Sequence, residues 1–134
     1  MNTFQNVVIF SVDRNQVPMS VNDAAREYAI EQLNAFCMDY SIGVGRHNGV
    51  DEQCYVVILP NSGREHYLEM LKSMATEAKQ ESMLNIDSNG RAFLLYLDTG
   101  ATDELGRLEE VSKERALAKD AYTNVNGRYY ITKE

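Results

Sequence analysis

Two segments with helical spacing stand between short, strongly β-forming runs, and that alternation restricts the fold more than any other feature of the chain. "NVVIFSV" (Asn6 to Val12) is continuously apolar and β-branched at its centre, as a buried strand is. After "DRNQVP", Pro18 and Ser20 introduce a helix, with Ser20 and Asp23 spaced as a capping pair. Val21, Ala25, Tyr28, Ala29, Leu33, Phe36, Cys37 and Tyr40 then recur every three or four residues and make one apolar helix face. Tyr40 to Val44 predicts a short second strand, and "YVVIL" (Tyr55 to Leu59) fills a third that Pro60 closes. Ser62 and Glu65 form a second S-x-x-E capping box. The helix they open carries Tyr67, Leu68, Leu71, Met74, Ala75 and Ala78 inward.

The remainder continues in strands. "SMLNI" and "RAFLLYL" flank a tight turn at Asn89-Gly90, and "AYTNVNGRYYITK" predicts a hairpin about Asn126-Gly127. Between them "LGRLEEV" reads as an edge strand and "KERALAKD" as a short helical turn. The core order is β-α-β-β-α-β, which predicts an α+β, ferredoxin-like antiparallel sheet with two helices on one face and an additional C-terminal hairpin. The helices cover one sheet face. The other, apolar and bare, predicts burial against further copies of the chain, with closed cyclic symmetry as the usual outcome.

At 134 residues the chain predicts a single domain, 1–134, with a genuine core. No run approaches 18 apolar residues, so no membrane-spanning helix is expected. "MNTFQNVVIF" lacks the basic start and cleavable apolar stretch of a leader. That absence, with two cysteines in structural positions, predicts a cytoplasmic protein with reduced thiols. Two histidines and no CxxC pair predict no metal and no cofactor. The net charge of −7 lacks the basic footprint of a nucleic-acid binder and suits a cationic ligand. It also suits an acidic DNA mimic, although here acidic and basic residues are interspersed.

One stretch concentrates polar chemistry. "GVGRHNGVDEQCYVVIL" sets three glycines, Arg46, His47, Asn48 and two adjacent carboxylates directly before a core strand, and it predicts a substrate-binding loop. Glu52 is its central candidate, against the ordinary reading of an exposed glutamate at a strand start. Gly43, Gly45 and Gly49 serve either a flexible hairpin or close approach of backbone to ligand. His47 is a surface histidine or a base. Val50, Asp51 and Gln53 complete the lining, Asp51 through its amide. Arg14 either grips a carboxylate through its planar fork or forms a surface ion pair. Tyr55, Tyr96, Tyr129 and Tyr130 are packing rings or a stacking platform for a base.

Three stretches together resemble the phage-encoded S-adenosylmethionine hydrolases, also described as S-adenosylmethionine lyases, of the coliphage type. They are "VVIFSVDRNQVPMSVNDAAREYAIEQLNA", "GVGRHNGVDEQCYVV" and "LGRLEEVSKERALAKDAYTNVNGRYYITK". The family usually has a tyrosine where His47 stands, in a longer loop. The resemblance implies a homotrimer of ferredoxin-like protomers with substrate held between neighbours. It also implies cleavage of S-adenosylmethionine to 5′-methylthioadenosine and homoserine or its lactone, without metal or cofactor. Loss of the host's methyl donor then counters restriction.

Such chemistry asks little of a protein. The substrate carries its leaving group, a thioether on a sulfonium, and its nucleophile, a carboxylate that closes a five-membered ring. Holding that chain folded supplies an orientation advantage of roughly 7–11 kcal/mol in favourable cases. A cation and an anion annihilate, so a water-poor site favours the transition state. Glu52 then serves best on the substrate ammonium, whose charge persists, rather than on the sulfonium, whose charge vanishes. Two other classes stay open at this point: a trimeric ferredoxin-like nucleotide sensor without catalysis, and the acidic DNA-mimicking anti-restriction protein.

Overall fold

A computed structural model of the chain describes residues 6–133. Residues 1–5, half of the stretch in which no leader is expected, lie outside the described residues, as does residue 134. The elements in order are β1 (Val7–Phe10), α1 (Met19–Ala35), β2 (Asp39–His47), β3 (Val50–Ile58) and α2 (Arg64–Glu77). There follow β4 (Ser82–Ile86), β5 (Arg91–Tyr96), β6 (Thr102–Val111), α3 (Lys113–Leu117), β7 (Tyr122–Val125) and β8 (Arg128–Lys133).

The eight strands close into an antiparallel barrel in the order β1-β3-β2-β7-β8-β6-β5-β4, with β4 returning to β1 through Val7↔Ile86 and Ile9↔Leu84. This overturns the open ferredoxin-like sheet. The first six elements do follow the expected β-α-β-β-α-β order, but the sheet has no free edge. β5 adds to β4, β7 adds to β2 through Val44↔Asn124, and β6 joins β8 through Glu110↔Tyr130. "LGRLEEV" is accordingly no edge strand: β6 is paired on both sides. The terminal hairpin is two staves of the wall rather than an addition to it. An open sheet would leave β2 and β4 with unpaired backbone groups, and the last four strands satisfy both.

Strand alternation sorts the apolar residues into two cores. Val8, Phe10, Tyr55 and Val57 point outward and pack beneath Ala29 and Leu33 of α1 and Leu71, Met74 and Ala75 of α2. Val7, Ile9, Cys54 and Val56 point inward and meet Ile86, Ala92, Val125 and Tyr130 across the barrel. The face that the helices leave bare is therefore filled by the protein's own far wall. That removes the physical ground on which a bare sheet face called for further copies of the chain.

Neither predicted capping box forms. α1 begins behind Pro18 with no side-chain cap, and Ser20 lies inside its first turn. α2 starts from Gly63 in the left-handed region, at φ 77°, with Glu65 in the first turn where the helix dipole favours a carboxylate. S-x-x-D/E spacing is common, and here backbone geometry at Pro18 and Gly63 sets the entry. Cys37, assigned to the helix face, instead follows the helix end at φ 53° and is exposed. Cys54 is buried, and desolvation pushes its thiol up to about 12. One thiol per chain should therefore react with an aromatic disulfide reagent in the native protein, and both after denaturation. Two fast native thiols would contradict a closed barrel.

Candidate functional site

The glycine-rich stretch is a regular hairpin, one of the two roles open to its glycines, because β2 and β3 run beyond the predicted Tyr40–Val44 and Tyr55–Leu59. β2 and β3 stay in register through Gly43↔Cys54, Gly45↔Glu52 and His47↔Val50. A two-residue turn closes them, with Asn48 at φ 52° and Gly49 at φ 78°, the Asn-Gly chemistry that two-residue hairpins demand. The turn is tied down where Gly49 N–H donates to the Asp120 carbonyl at 3.0 Å. Gly43 answers a different need, because a Cβ there would collide with the Asn124 carbonyl oxygen of β7. At Gly45 the nearest atoms to such a Cβ are those of Cys54, at 3.7 Å. These are ordinary contacts, so glycine at 45 presents only bare backbone on the side directly opposite Glu52.

Glu52 continues the inward alternation of Val56 and Cys54 and so sits at one mouth of the barrel. On the neighbouring strand Ser11 continues Val7 and Ile9 in the same way. The Ser11 hydroxyl donates to the Gln53 carbonyl at 2.7 Å and to Glu52 Oε2 at 3.2 Å, and accepts from Asp13 N–H at 3.0 Å. Gln53 N–H donates to Asp13 Oδ2 at 3.2 Å. Both backbone groups of Gln53 are thus satisfied by side chains just beyond the last β1–β3 pair, Phe10↔Tyr55. Side chains replace the ladder here. They hold the segment after β1 against β3 beside Glu52.

Asp13 is the structural hub. Its carboxylate is buried and receives Arg26 Nε at 2.7 Å and Nη2 at 2.6 Å in a two-pronged bond, while its carbonyl accepts from Gln80 Nε2 at 2.6 Å. One residue therefore fastens the β1–α1 loop to α1, to β3 and to the segment after α2. Arg26, in turn, is held above its usual range, chiefly by that hydrogen bond.

The neighbouring carboxylate does different work. Asp51 pairs with Arg46 at 2.6 Å and accepts from the Tyr122 hydroxyl at 3.1 Å, and the Arg46 hydrogen bond draws its carboxyl below the usual range. Arg46 also lies over the Tyr122 ring, 4.7 Å from its centre. This clamp fixes the hairpin to β7 and gives Asp51 a cationic partner within the protein. Glu52 forms no ion pair with any described residue, since Arg26 is committed to Asp13 and Arg46 to Asp51. Its carboxyl is pushed above the ordinary range. Burial is the main cause and the Asp13 charge adds, while the Ser11 hydrogen bond and His47 oppose.

The other predicted residues fall at different distances from this centre. His47 ends β2 and is felt electrostatically by Glu52. Gly49 and Val50 form the hairpin tip, and Gln53 turns outward, its side-chain amide on the Tyr55 hydroxyl at 3.3 Å. Arg14 is exposed in the loop after Asp13; its backbone is held at both ends by Asn22, and its guanidinium makes no ion pair with a described residue. Among the described residues no group of His, Cys, Asp and Glu is arranged to hold a metal ion. No helix is long and apolar enough to cross a membrane.

Sequence reasoning missed Ser11, Asp13, Arg26 and Gln80. A signal for two of them was present: "VVIFSVD" keeps its period of two while its odd positions turn from apolar to polar, placing Ser11 and Asp13 where Val7 and Ile9 lead.

Among curated proteins none matches the chain. A family model described as the S-Adenosylmethionine lyase family matches residues 8–133. That span runs from the second residue of β1 to the last of β8 and includes every side chain around Glu52. The chain belongs to the S-adenosylmethionine lyase family and is an enzyme of that kind.

Proposed function

We propose that the enzyme cleaves S-adenosylmethionine into 5′-methylthioadenosine and L-homoserine lactone, with Glu52 holding the substrate's ammonium group. One observation carries the reading: Glu52 is a half-buried carboxylate that makes no ion pair with any described residue, at the mouth of the barrel. A desolvated, unpaired anion favours a cationic ligand, and the α-ammonium of the substrate supplies one. With the ammonium fixed, the substrate's carboxylate folds back onto its own Cγ. The carboxylate oxygen forms a bond to Cγ as the Cγ–S bond breaks, and the electron pair leaves on sulfur as a neutral thioether. No proton moves, so no general base is required.

Ser11 positions Glu52 in this scheme, and its single hydroxyl proton serves either Gln53 or the carboxylate. Arg14 is the proposed partner of the substrate carboxylate, oriented without being neutralised. Backbone at Gly49, Val50, Asp51 and Gln53, with the His47 ring, is the proposed lining. A homotrimer with sites shared between neighbours belongs to the same proposal. The half-exposed Ile42 and Val44, on the outer face of the hairpin, are the apolar surface such a contact would cover. Depletion of the methyl donor, and through it relief from restriction, is the proposed biological effect.

The test is product analysis in oxygen-18 water. Early samples should contain methylthioadenosine and unlabelled homoserine lactone, with label entering only at the carboxyl as the lactone later opens. Label on the γ-hydroxyl of homoserine from the first turnover would overturn the internal nucleophile. Intact substrate after prolonged incubation with folded protein would overturn the activity.

A further inference from the structure

Three basic residues stand in one row across the outer wall of the barrel. Arg91 of β5 is the direct partner of Arg107 of β6, and Arg107 is the direct partner of Lys133 of β8. They alternate with the inward-packed Ala92 and Leu108, so all three point to solvent on the same face. Like charges placed directly opposite one another on adjacent strands weaken the sheet. In a chain with 13 Lys and Arg against 20 Asp and Glu, two successive like-charged pairs are a cost that the overall composition does not impose.

The wall is also shaped there. Ala92 pairs with Gly106 and Phe93 with Glu104, leaving Leu105 as the extra residue of a β-bulge, and Gly106 takes φ 92°. A bulge bends its strand and adds twist. The result is a depression of about 500 Å³ lined by the three cations together with Gly106, Leu108 and Glu109. Two carboxylates lie nearby. Glu104 pairs with Arg91, and Glu109 is drawn toward Arg115 at 3.6 Å. Arg107 spends one donor on the Asn89 carbonyl at 3.0 Å and keeps the rest of its fork, while Lys133 makes no ion pair with a described residue.

We infer that this row is a second ligand site, one that binds a small phosphate-bearing anion. Phosphate oxygens bridge Arg107 and Lys133, the arginine through its planar fork and the lysine as a point charge. Arg91 joins by exchanging Glu104 for the ligand. The row spans two interstrand spacings, about 10 Å, which suits a short polyphosphate. An extended polyanion would meet the repulsion of the remaining acidic surface. The three cations face outward and Glu52 faces inward, so this inference is independent of the proposed reaction.

Calorimetric titration of the intact protein with inorganic tripolyphosphate at low ionic strength tests it. One saturable site is expected, weakened at least fivefold by Arg107→Ala and by Lys133→Ala, and weakened by added salt. Arg107→Gln, which keeps the stem on the wall, replaces the alanine variant if that fails to fold. Glu104→Gln should tighten binding severalfold by releasing Arg91. The absence of saturable binding, or binding untouched by both the Arg107 and Lys133 substitutions, overturns the site. A single-stranded oligonucleotide binding more tightly than tripolyphosphate, with the same sensitivity, overturns the small-anion assignment in favour of a polynucleotide phosphate.

Discussion

Glu52→Gln should abolish turnover, by roughly a hundredfold or more if the amino-acid end of the substrate is no longer held for attack, while the protein at neutral pH becomes no less stable. The two halves of this expectation have separate causes. Glutamine keeps the shape and still accepts the Ser11 hydrogen bond, but it offers no charge to an ammonium, and charge-assisted contacts are about twice as strong as neutral ones. On stability the sign follows from the raised carboxyl of Glu52 in the folded protein. The folded state then holds its proton to higher pH than the unfolded chain does. Between the ordinary glutamate range and the raised value, folding takes up a proton, so stability falls as pH rises through that window. Glutamine has no such loss. Thermal melts of the two proteins should coincide below about pH 4, where both forms are neutral, and above the window the variant should melt at the same temperature or higher. A near-native rate would remove Glu52 from the site; a melting point lowered by several degrees at neutral pH would remove the argument from burial. Ser11→Ala supplies a complementary reading. Its hydrogen bond lowers the Glu52 carboxyl, so without it the acid limb of the rate profile should move to higher pH.

An unpaired, desolvated carboxylate retained at a cost to stability is what a binding site leaves in a fold. The sequence made Glu52 conspicuous because two carboxylates precede an apolar run, and it ranked Glu52 above Asp51 without a local geometric reason. Period-two alternation does separate them: one residue points inward to the barrel mouth and the other outward to Arg46 and Tyr122. That distinction becomes available only when the stretch is read as a strand pair. Three glycines suggested a loop, whereas only Gly49 lies in a turn. Gly43 yields to a carbonyl of β7, a strand about 80 residues later, and no local signal announces such a contact.

The fold was misread for the same reason. Strand runs, the two long helices and the Asn126-Gly127 turn are local features and are present, although Val21, Tyr28 and Phe36 of the first helix face are exposed and β2 and β3 run past their predicted ends. Which strand meets which is decided by pairings such as Val44↔Asn124 and Glu110↔Tyr130, between segments that carry no mutual mark. An apolar face on β1 and β3 was correctly seen as needing cover. The chain covers it with its own last four strands, and β6, with alternating charges outward, looks like an edge when it is interior to the sheet.

Asp13 and Arg26 were not anticipated, and they carry the largest expected loss of stability. Arg26→Met should lower stability by about 2–3 kcal/mol and the melting temperature by roughly 10 °C. Removing one member of a fully buried pair costs about 3–5 kcal/mol, because the other charge is left uncompensated. The expectation here is smaller because Arg26 retains 35% of its side-chain exposure and Asp13 only 8%, so water reaches one end of the pair. Asp13 cannot simply turn away, since it also accepts from Gln53 N–H and its carbonyl is held by Gln80. The double variant Asp13→Asn with Arg26→Met tests the cause. Asparagine can still accept from Gln53 but strands no charge, so the double variant should be more stable than Arg26→Met alone, and a mutant cycle should return a coupling of at least 1 kcal/mol, near the lower end of those found for contacting residues. Additive effects would make the pair a surface ornament. The activity of the double variant then separates the ion pair from the other role of Asp13. If Asp13 holds Gln53, and through it the β3 backbone beside Glu52, turnover should survive wherever the Gln53 hydrogen bond does, even with the ion pair gone.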